Sequence, residues 1–190
     1  MCGIIGFLTN NENLDLENKI KFSLNKLRHR GPDDNGYCID NTNACTLALA
    51  HTRLSIIDLS SAGHQPMNSL DGRYTIVFNG EIYNYLELRT ELKSFGHHFH
   101  TDSDTEVLLA TWIQWGIAGL RRLTGMFAFA VFDRQEGTLS LVRDAFGIKP
   151  LFYAHDTNAF SFASEIPSLL ELLLHKPSLD LQQSYNYLVY

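Results

Sequence analysis

Apolar positions along the chain follow two rhythms, and the switches between them mark out short strands and helices. Ile4 to Leu8 is a compact, partly β-branched apolar run, which predicts a buried strand. After a polar turn at Asn10 to Asn13, Leu16, Ile20, Phe22, Leu24 and Leu27 fall at helical spacing. They predict a helix from Leu14 to about Arg28, capped by Asp15 or a neighbouring asparagine. Gly36 to Ile39 and Cys45 to His51 read as a hairpin around Asp40-Asn41-Thr42-Asn43. Its second arm carries Leu47, Ala48, Leu49 and Ala50 in succession, so it belongs at the centre of a sheet rather than an edge. Asp58 to Asp71, containing Gly63-His64-Gln65-Pro66-Met67, has neither rhythm and reads as a long loop of the kind that more often carries function.

Asp71-Gly72 turns the chain into a strand from Tyr74 to Phe78, which ends in Asn79-Gly80-Glu81-Ile82-Tyr83-Asn84. Asn-Gly is a common hairpin signal. Here Tyr85, Leu88, Leu92 and Phe95 follow with helical spacing up to Gly96, so the stretch reads as strand, turn, helix. Ser103 and Glu106 match a capping box that opens a helix ending at Gly116. A short helix is expected from Gly116 to Leu123, then a strand from Met126 to Asp133 that is apolar on both faces. Further strands follow at Leu139 to Arg143, Leu151 to Ala154 and Phe160 to Ala163. Ser164-Glu165 reads as the cap of a helix to about Leu174, and Leu179 to Tyr190 as a last helix. Eight or nine strands, several of them buried on both faces, with helices at the beginning, middle and end, predict an α+β domain of two stacked sheets flanked by helices. With no repeat, low-complexity tract or internal linker, residues 1–190 read as one domain.

Composition narrows the function classes. Of 190 residues, 45% are hydrophobic and 19% charged, as in a soluble globular domain. A net charge of −6 with no Lys/Arg run longer than two argues against nucleic acid or an anionic membrane as partner. No signal peptide is visible, and no apolar run reaches the roughly 18 residues that span a bilayer. Three cysteines without a CxxC fit a reducing, cytoplasmic setting, with Cys38 and Cys45 as free buried thiols across the hairpin. His97, His98 and His100 form the one histidine cluster. They are read as a short strand without cysteine or carboxylate at ligand spacing, so no metal is expected.

Candidate chemistry starts at Cys2. Removal of Met1 would put a thiol and a free α-amine on one residue. The amine titrates at about 7.7–8.0 and can accept the proton of a thiol whose own pKa lies near 8.5. Nucleophile and general base would then share a residue. Taken alone, a cysteine after a start methionine is more often uninformative. Arg53, delivered by a buried strand, needs an anionic partner: an internal carboxylate or the carboxylate of a ligand. The Asn79 side chain and Gly80 backbone offer two adjacent N–H donors, the requirement of an oxyanion hole, though a plain turn would use the same pair. Asp104 suits either the helix dipole or a site. Arg28-His29-Arg30 before Gly31-Pro32 is either solvated surface or an anion-facing loop.

Taken in order, the stretches are Met-Cys-Gly-Ile-Ile-Gly-Phe, Arg-His-Arg-Gly-Pro-Asp, Ala-His-Thr-Arg-Leu-Ser-Ile-Ile-Asp, Gly-His-Gln-Pro-Met, Phe-Asn-Gly-Glu-Ile-Tyr-Asn, Ser-Asp-Thr-Glu, Gly-Met-Phe-Ala-Phe-Ala and Arg-Asp-Ala-Phe-Gly-Ile-Lys-Pro-Leu. Together they closely resemble the class II glutamine amidotransferases, a branch of the N-terminal nucleophile hydrolases. The Asn-Gly-Glu-Ile-Tyr-Asn form resembles the glutaminase domain of glutamine-hydrolysing asparagine synthetase more than the glucosamine-phosphate synthase and purine amidotransferase branches. The resemblance covers nearly the whole chain and implies a four-layer αββα sandwich. It implies that Cys2 attacks the glutamine side-chain amide and that Asn79 and Gly80 hold the oxyanion. It implies that Arg53 takes the substrate α-carboxylate and that Glu81 and Asp104 take its α-ammonium. Backbone groups of Leu54, Ser55, Ile56 and Ile57 are expected to line the pocket, with His29 and Arg30 supporting the amine. No metal or cofactor is implied for this domain. ATP and magnesium belong to the family's synthetase domain, whose Ser-Gly-Gly-x-Asp-Ser phosphate loop does not occur here; that domain in cis is the expected partner, and a homodimer is left open. Ala145 departs from the usual residue in Arg-Asp-x-Phe-Gly, with little effect expected. A different ammonia acceptor (a sugar or peptide precursor) and a non-catalytic binding module of the same fold are the alternatives.

Overall fold

Which face of each strand meets a helix and which meets the other sheet decides where the chemistry ends up. The structure, a computed structural model, describes residues 1–10, 14–41, 45–175 and 177–189. One sheet contains β1 (Gly3–Thr9), β2 (Asp34–Asn41), β3 (Thr46–Arg53), β8 (Phe152–His155) and β9 (Ala159–Ala163) in the order β2-β3-β1-β9-β8. The other contains β4 (Met67–Asn68), β5 (Tyr74–Ile82), β6 (Gly125–Asp133) and β7 (Thr138–Arg143) in sequence order. All the pairings are antiparallel.

Three apolar layers hold the sheets and helices together. Ile5, Phe7, Ala48, Ala50 and Ala163 pack on α1 (Leu16–Leu27) and α4 (Ile166–Leu172). Ile76, Phe78, Phe129 and Val131 pack on α2 (Tyr85–Ser94) and α3 (Asp104–Trp115). Between the sheets lie Ile4, Leu47, Leu49, Val77, Ala128, Ala130, Phe132 and Phe162. Neighbours in sequence therefore face opposite layers, as a pleated strand requires. The result is the αββα sandwich the resemblance implied.

Local signals explain most boundaries. Asp15 caps α1 by accepting the Asn18 N–H at 3.2 Å. Gly96 and Gly116, with φ of +90° and +55°, follow α2 and α3 in backbone conformations that disfavour a side chain. The expected short helix is a 3₁₀ helix over Gly116–Arg122. The last helix, α5 (Leu181–Val189), buries none of its side chains.

Several expectations change. Phe22 is exposed and does not share the packed face of α1. Residues 97–100 form a loop, not a strand. Glu106 does not return to Ser103; its carboxylate takes the N–H groups of His100 and Thr101. Asp40 and Asn41 extend β2 rather than turning, and the remainder of that turn, like most of Asn10 to Asn13, lies outside the described residues. Cys38 is half-buried opposite Leu49, not facing Cys45. Most consequential, β5 does not stop at Phe78 but runs through Asn79 and Gly80 to Ile82.

Candidate functional site

Cys2, His51, Arg53 and Asn79 share strand parity with the residues packed between the sheets: Cys2 with Ile4, His51 and Arg53 with Leu49, Asn79 with Val77. Alternation thus sends all four toward one end of the inter-sheet space. There they line or adjoin a cavity of about 150 Å³. Cys2, Arg53, Asn79, Gly80, Glu81 and Asp104 all border it.

The Cys2 thiol lies between backbone groups of the next loop. Its Sγ is 3.5 Å from the Leu54 N–H and 3.7 Å from the Leu54 carbonyl. Burial pushes the thiol pKa up, and the Leu54 contact and the nearby chain terminus only partly offset this. A thiol held neutral in this way needs a base to become a nucleophile. The Cys2 carbonyl is fixed separately: Arg30 Nε donates to it at 2.8 Å. Arg30 Nη1 also bonds Glu165 at 2.8 Å, and His29 reaches the same carboxylate at 3.0 Å. Burial raises the Glu165 pKa, but Arg30 and His29 outweigh it and the net shift is downward. Arg30 therefore supports Cys2 directly, while the exposed His29 acts only through Glu165.

Asn79 is fully buried, and neither Nδ2 nor Oδ1 of its side chain has a hydrogen-bond partner among the described residues. A buried amide left unmatched costs roughly 1–3 kcal/mol, so a structure that keeps one has a use for it. Gly80 sits beside it for a steric reason. A Cβ there would fall 2.4 Å from the Met126 carbonyl oxygen and 2.7 Å from the Phe127 Cα on the paired strand. Along the edge of β5 facing away from β6, the Phe78 N–H goes to Gln65 at 2.7 Å and the Ile82 N–H to Asp104 at 3.0 Å. Alternation points the Gly80 N–H out of the same edge, between those two.

Charge is distributed across the cavity. Arg53 is buried, yet its guanidinium meets only carbonyl oxygens, those of Ser60 at 2.7 Å and of Asp58. Of the two partners the sequence allowed, an internal carboxylate in direct ion-pair contact is absent among the described residues. Gly63 lets the loop close on it, since a Cβ there would lie 2.2 Å from Arg53 Nη2. Opposite in charge are Glu81 and Asp104. Burial pushes the Asp104 carboxyl up to about 6, against the Ile82 N–H bond that lowers it.

The loop at residues 54–57 is divided. Leu54, Ile56 and Ile57 border the cavity. Ser55 does not: its N–H donates to Asp33 at 2.8 Å, and it faces a separate depression. Sequence reasoning passed over Gln65, Thr105, His51 and Glu165. Gln65 lies in the Gly-His-Gln-Pro-Met stretch of the unpatterned loop, and His51 is a polar residue closing an apolar strand; both were visible as anomalies without an assigned task.

Comparison with known proteins places these residues in context. The model of the family described as the glutamine amidotransferase domain matches residues 1–190. Asparagine synthetase [glutamine-hydrolyzing] 1 of Bacillus subtilis is 41% identical, over 98% of this chain and 30% of the relative. A putative asparagine synthetase [glutamine-hydrolyzing] 2 of Methanocaldococcus jannaschii is 39% identical over 90% of this chain and 35% of its own length. The chain thus spans about a third of these relatives. Among solved structures, the glutamine phosphoribosylpyrophosphate amidotransferase from B. subtilis complexed with ADP and GMP superposes with a TM-score of 0.72 at 21% identity, covering 88% of this chain and 42% of that one. That likeness bears on the fold alone.

Proposed function

The chain belongs to the glutamine amidotransferase domain family, and from that premise we propose that it hydrolyses the side-chain amide of glutamine to glutamate and ammonia. The observation that carries this reading is the unmatched, fully buried Asn79 amide on the same cavity as the Cys2 thiol. An amide without a partner beside a nucleophile is what a developing oxyanion requires.

The reaction follows from the groups around the cavity. Met1 also borders it, and its removal would free the Cys2 α-amine there. The amine takes the thiol proton, and sulfur attacks the amide carbon. The carbonyl oxygen becomes an oxyanion held by Asn79 Nδ2–H and the Gly80 N–H. Collapse breaks the C–N bond, the protonated amine returns its proton to the departing ammonia, and a thioester remains on Cys2. Water then attacks the thioester through a second oxyanion, releasing glutamate and the thiol. Arg53 pairs with the substrate α-carboxylate, and Glu81 with Asp104 receives its α-ammonium. One buried cation and two carboxylates match a zwitterionic amino acid. Arg30 keeps the Cys2 backbone in place.

The ammonia goes to aspartate, in an asparagine-forming step that a synthetase domain in cis would carry out in the cytoplasm with ATP and magnesium. Neither cofactor takes part in the glutaminase half. The names of the relatives support this acceptor. Intact mass, together with ammonia release from glutamine, tests the glutaminase reading. Loss of Met1 with turnover in the wild type and none in Cys2→Ala is expected. A processed protein that neither binds nor hydrolyses glutamine would overturn it.

A further inference from the structure

Strand β4 pairs with β5 only at Ile76 and Thr75. Beyond Ile76, the outer edge of β5 has side chains where a neighbouring strand would be. Gln65 is the first of them, and it is buried. Its Oε1 accepts the Phe78 N–H at 2.7 Å, and its Nε2 donates to Thr105 Oγ1 at 3.1 Å. The Phe78 carbonyl is held from the other sheet by His51 Nε2 at 3.0 Å. A carbonyl only accepts, so the His51 proton is on Nε2. Burial holds the His51 pKa down at about 3, against the Phe78 bond that raises it, so this neutral form persists across the working pH range.

The two successive peptides that lead into Asn79 are therefore each held by a buried side chain. The Val77–Phe78 peptide is held through its N–H by Gln65, and the Phe78–Asn79 peptide through its carbonyl by His51. Among the described residues, the Asn79 side chain makes no hydrogen bond that would orient it. The β6 ladder holds the Asn79 and Gly80 backbone from one edge, and on the open edge, where the oxyanion donors point, this clamp is what fixes the approach to them. Gln65 also ties the clamp to Thr105, the residue after Asp104, and so joins the oxyanion edge to the start of α3.

We infer that Gln65 is a positioning residue for the oxyanion donors, acting through the Phe78 N–H and registered to the ammonium-binding end of the cavity through Thr105. The inference rests on the glutaminase reading. Loss of an oxyanion donor typically costs 10²–10³ in kcat, so misaiming the pair costs less, about tenfold or more.

Gln65→Met keeps the bulk of the side chain and removes the acceptor; Gln65→Glu keeps an acceptor for Phe78. Turnover is measured per active site, titrated with an electrophilic glutamine analogue, so that a smaller folded fraction does not count as lost kcat. In Gln65→Met, kcat per site is expected to fall about tenfold or more with KM for glutamine changed less than about threefold, and Gln65→Glu to recover part of the loss. Thr105→Val, which removes only the far anchor, is expected to give a smaller loss of the same kind if Gln65→Met folds poorly. Wild-type kcat per site in Gln65→Met, or a rise in KM alone, overturns the inference. NMR gives a readout independent of turnover: the Asn79 side-chain and Gly80 backbone amide resonances should move in Gln65→Met, and unmoved resonances overturn the inference whether or not the chain hydrolyses glutamine. An inactive wild type with those resonances moved would remove the glutaminase reading and leave the positioning intact.

Discussion

Replacing Asp104 with asparagine should make the domain more stable and the site weaker. The carboxyl is buried at the first turn of α3, and burial raises its pKa from 3.8 to about 6. A shift of about two units corresponds to about 3 kcal/mol at 1.36 kcal/mol per unit. That is the cost of keeping the carboxylate charged in the folded chain near pH 7.5, and an uncharged amide escapes it. Asparagine can still accept the Ile82 N–H through Oδ1, so the hydrogen bond need not be lost. Allowing for imperfect geometry, Asp104→Asn is expected to raise unfolding free energy by about 1–3 kcal/mol at pH 7.5. The pH dependence has a definite sign. A carboxylate whose folded pKa exceeds its unfolded value holds its proton more tightly when folded. The penalty is complete above about pH 6 and is gone once pH falls below about 4, where the acid is neutral in both states. Other carboxylates, Asp133 and Asp144 among them, have lowered pKa values and destabilise the fold on acidification, so only the difference between wild type and variant isolates Asp104. Urea denaturation of both proteins at pH 7.5, 6 and 4.5 measures that difference. It should shrink steadily toward the lowest pH. A variant less stable than wild type at pH 7.5, or a difference that does not change with pH, would refute the reasoning. In parallel, KM for glutamine should rise at least about tenfold in the variant, since a charge-assisted contact to the ammonium is lost.

Two further outcomes are expected. Asn79→Ala should lower kcat by about 10²–10³ without destabilising the fold, because the removed amide makes no hydrogen bond among the described residues and its unmatched burial, about 1–3 kcal/mol, is relieved; steady-state ammonia release and a thermal melt check both halves of that statement. Asp144→Ala should destabilise the fold by several kcal/mol, about 1–3 for each buried donor left without a partner, since its carboxylate accepts the N–H groups of Phe127, Phe146, Ile148 and Lys149; guanidinium denaturation would show it, and a melt equal to wild type would refute it.

The layers of the fold were legible because apolar rhythm reports burial. The run Leu47 to Ala50 announced a central strand, and β3 lies between β2 and β1. The site residues were legible as a set because the resemblance joined them, and all but Ser55, His29 and Arg30 border the cavity. Errors came where distant partners override local chemistry. Asn79-Gly80 reads as a turn within its own few residues, but β6 pairs through it to Ile82. Gly125 completes the fit, since a Cβ there would lie 2.2 Å from the Glu81 carbonyl oxygen. Glu165 holds the N-cap position of α4 as its sequence suggests, but neither side chain caps the helix: the Ser164 hydroxyl accepts the Ile4 N–H at 2.9 Å and Glu165 turns to Arg30. No local rule contains a partner so far away in sequence.

The placement of β1 sets an order of events at the ribosome. This strand is synthesised first, yet its neighbours are β3 and β9, with Ile5 opposite Ala50 on one side and Ala163 on the other. Contacts spanning most of a chain close late, because the intervening loop entropy is overcome only once other structure has formed. A nascent chain that has emerged as far as β7 still has one bare edge on β1, and neither Ser164 nor Glu165 is available to hold the backbone around Cys2. The thiol at the start of the chain therefore acquires its working surroundings only when residues near 165 have left the exit tunnel. On the proposed glutaminase reading, ammonia release waits until the chain near residue 165 has joined the fold.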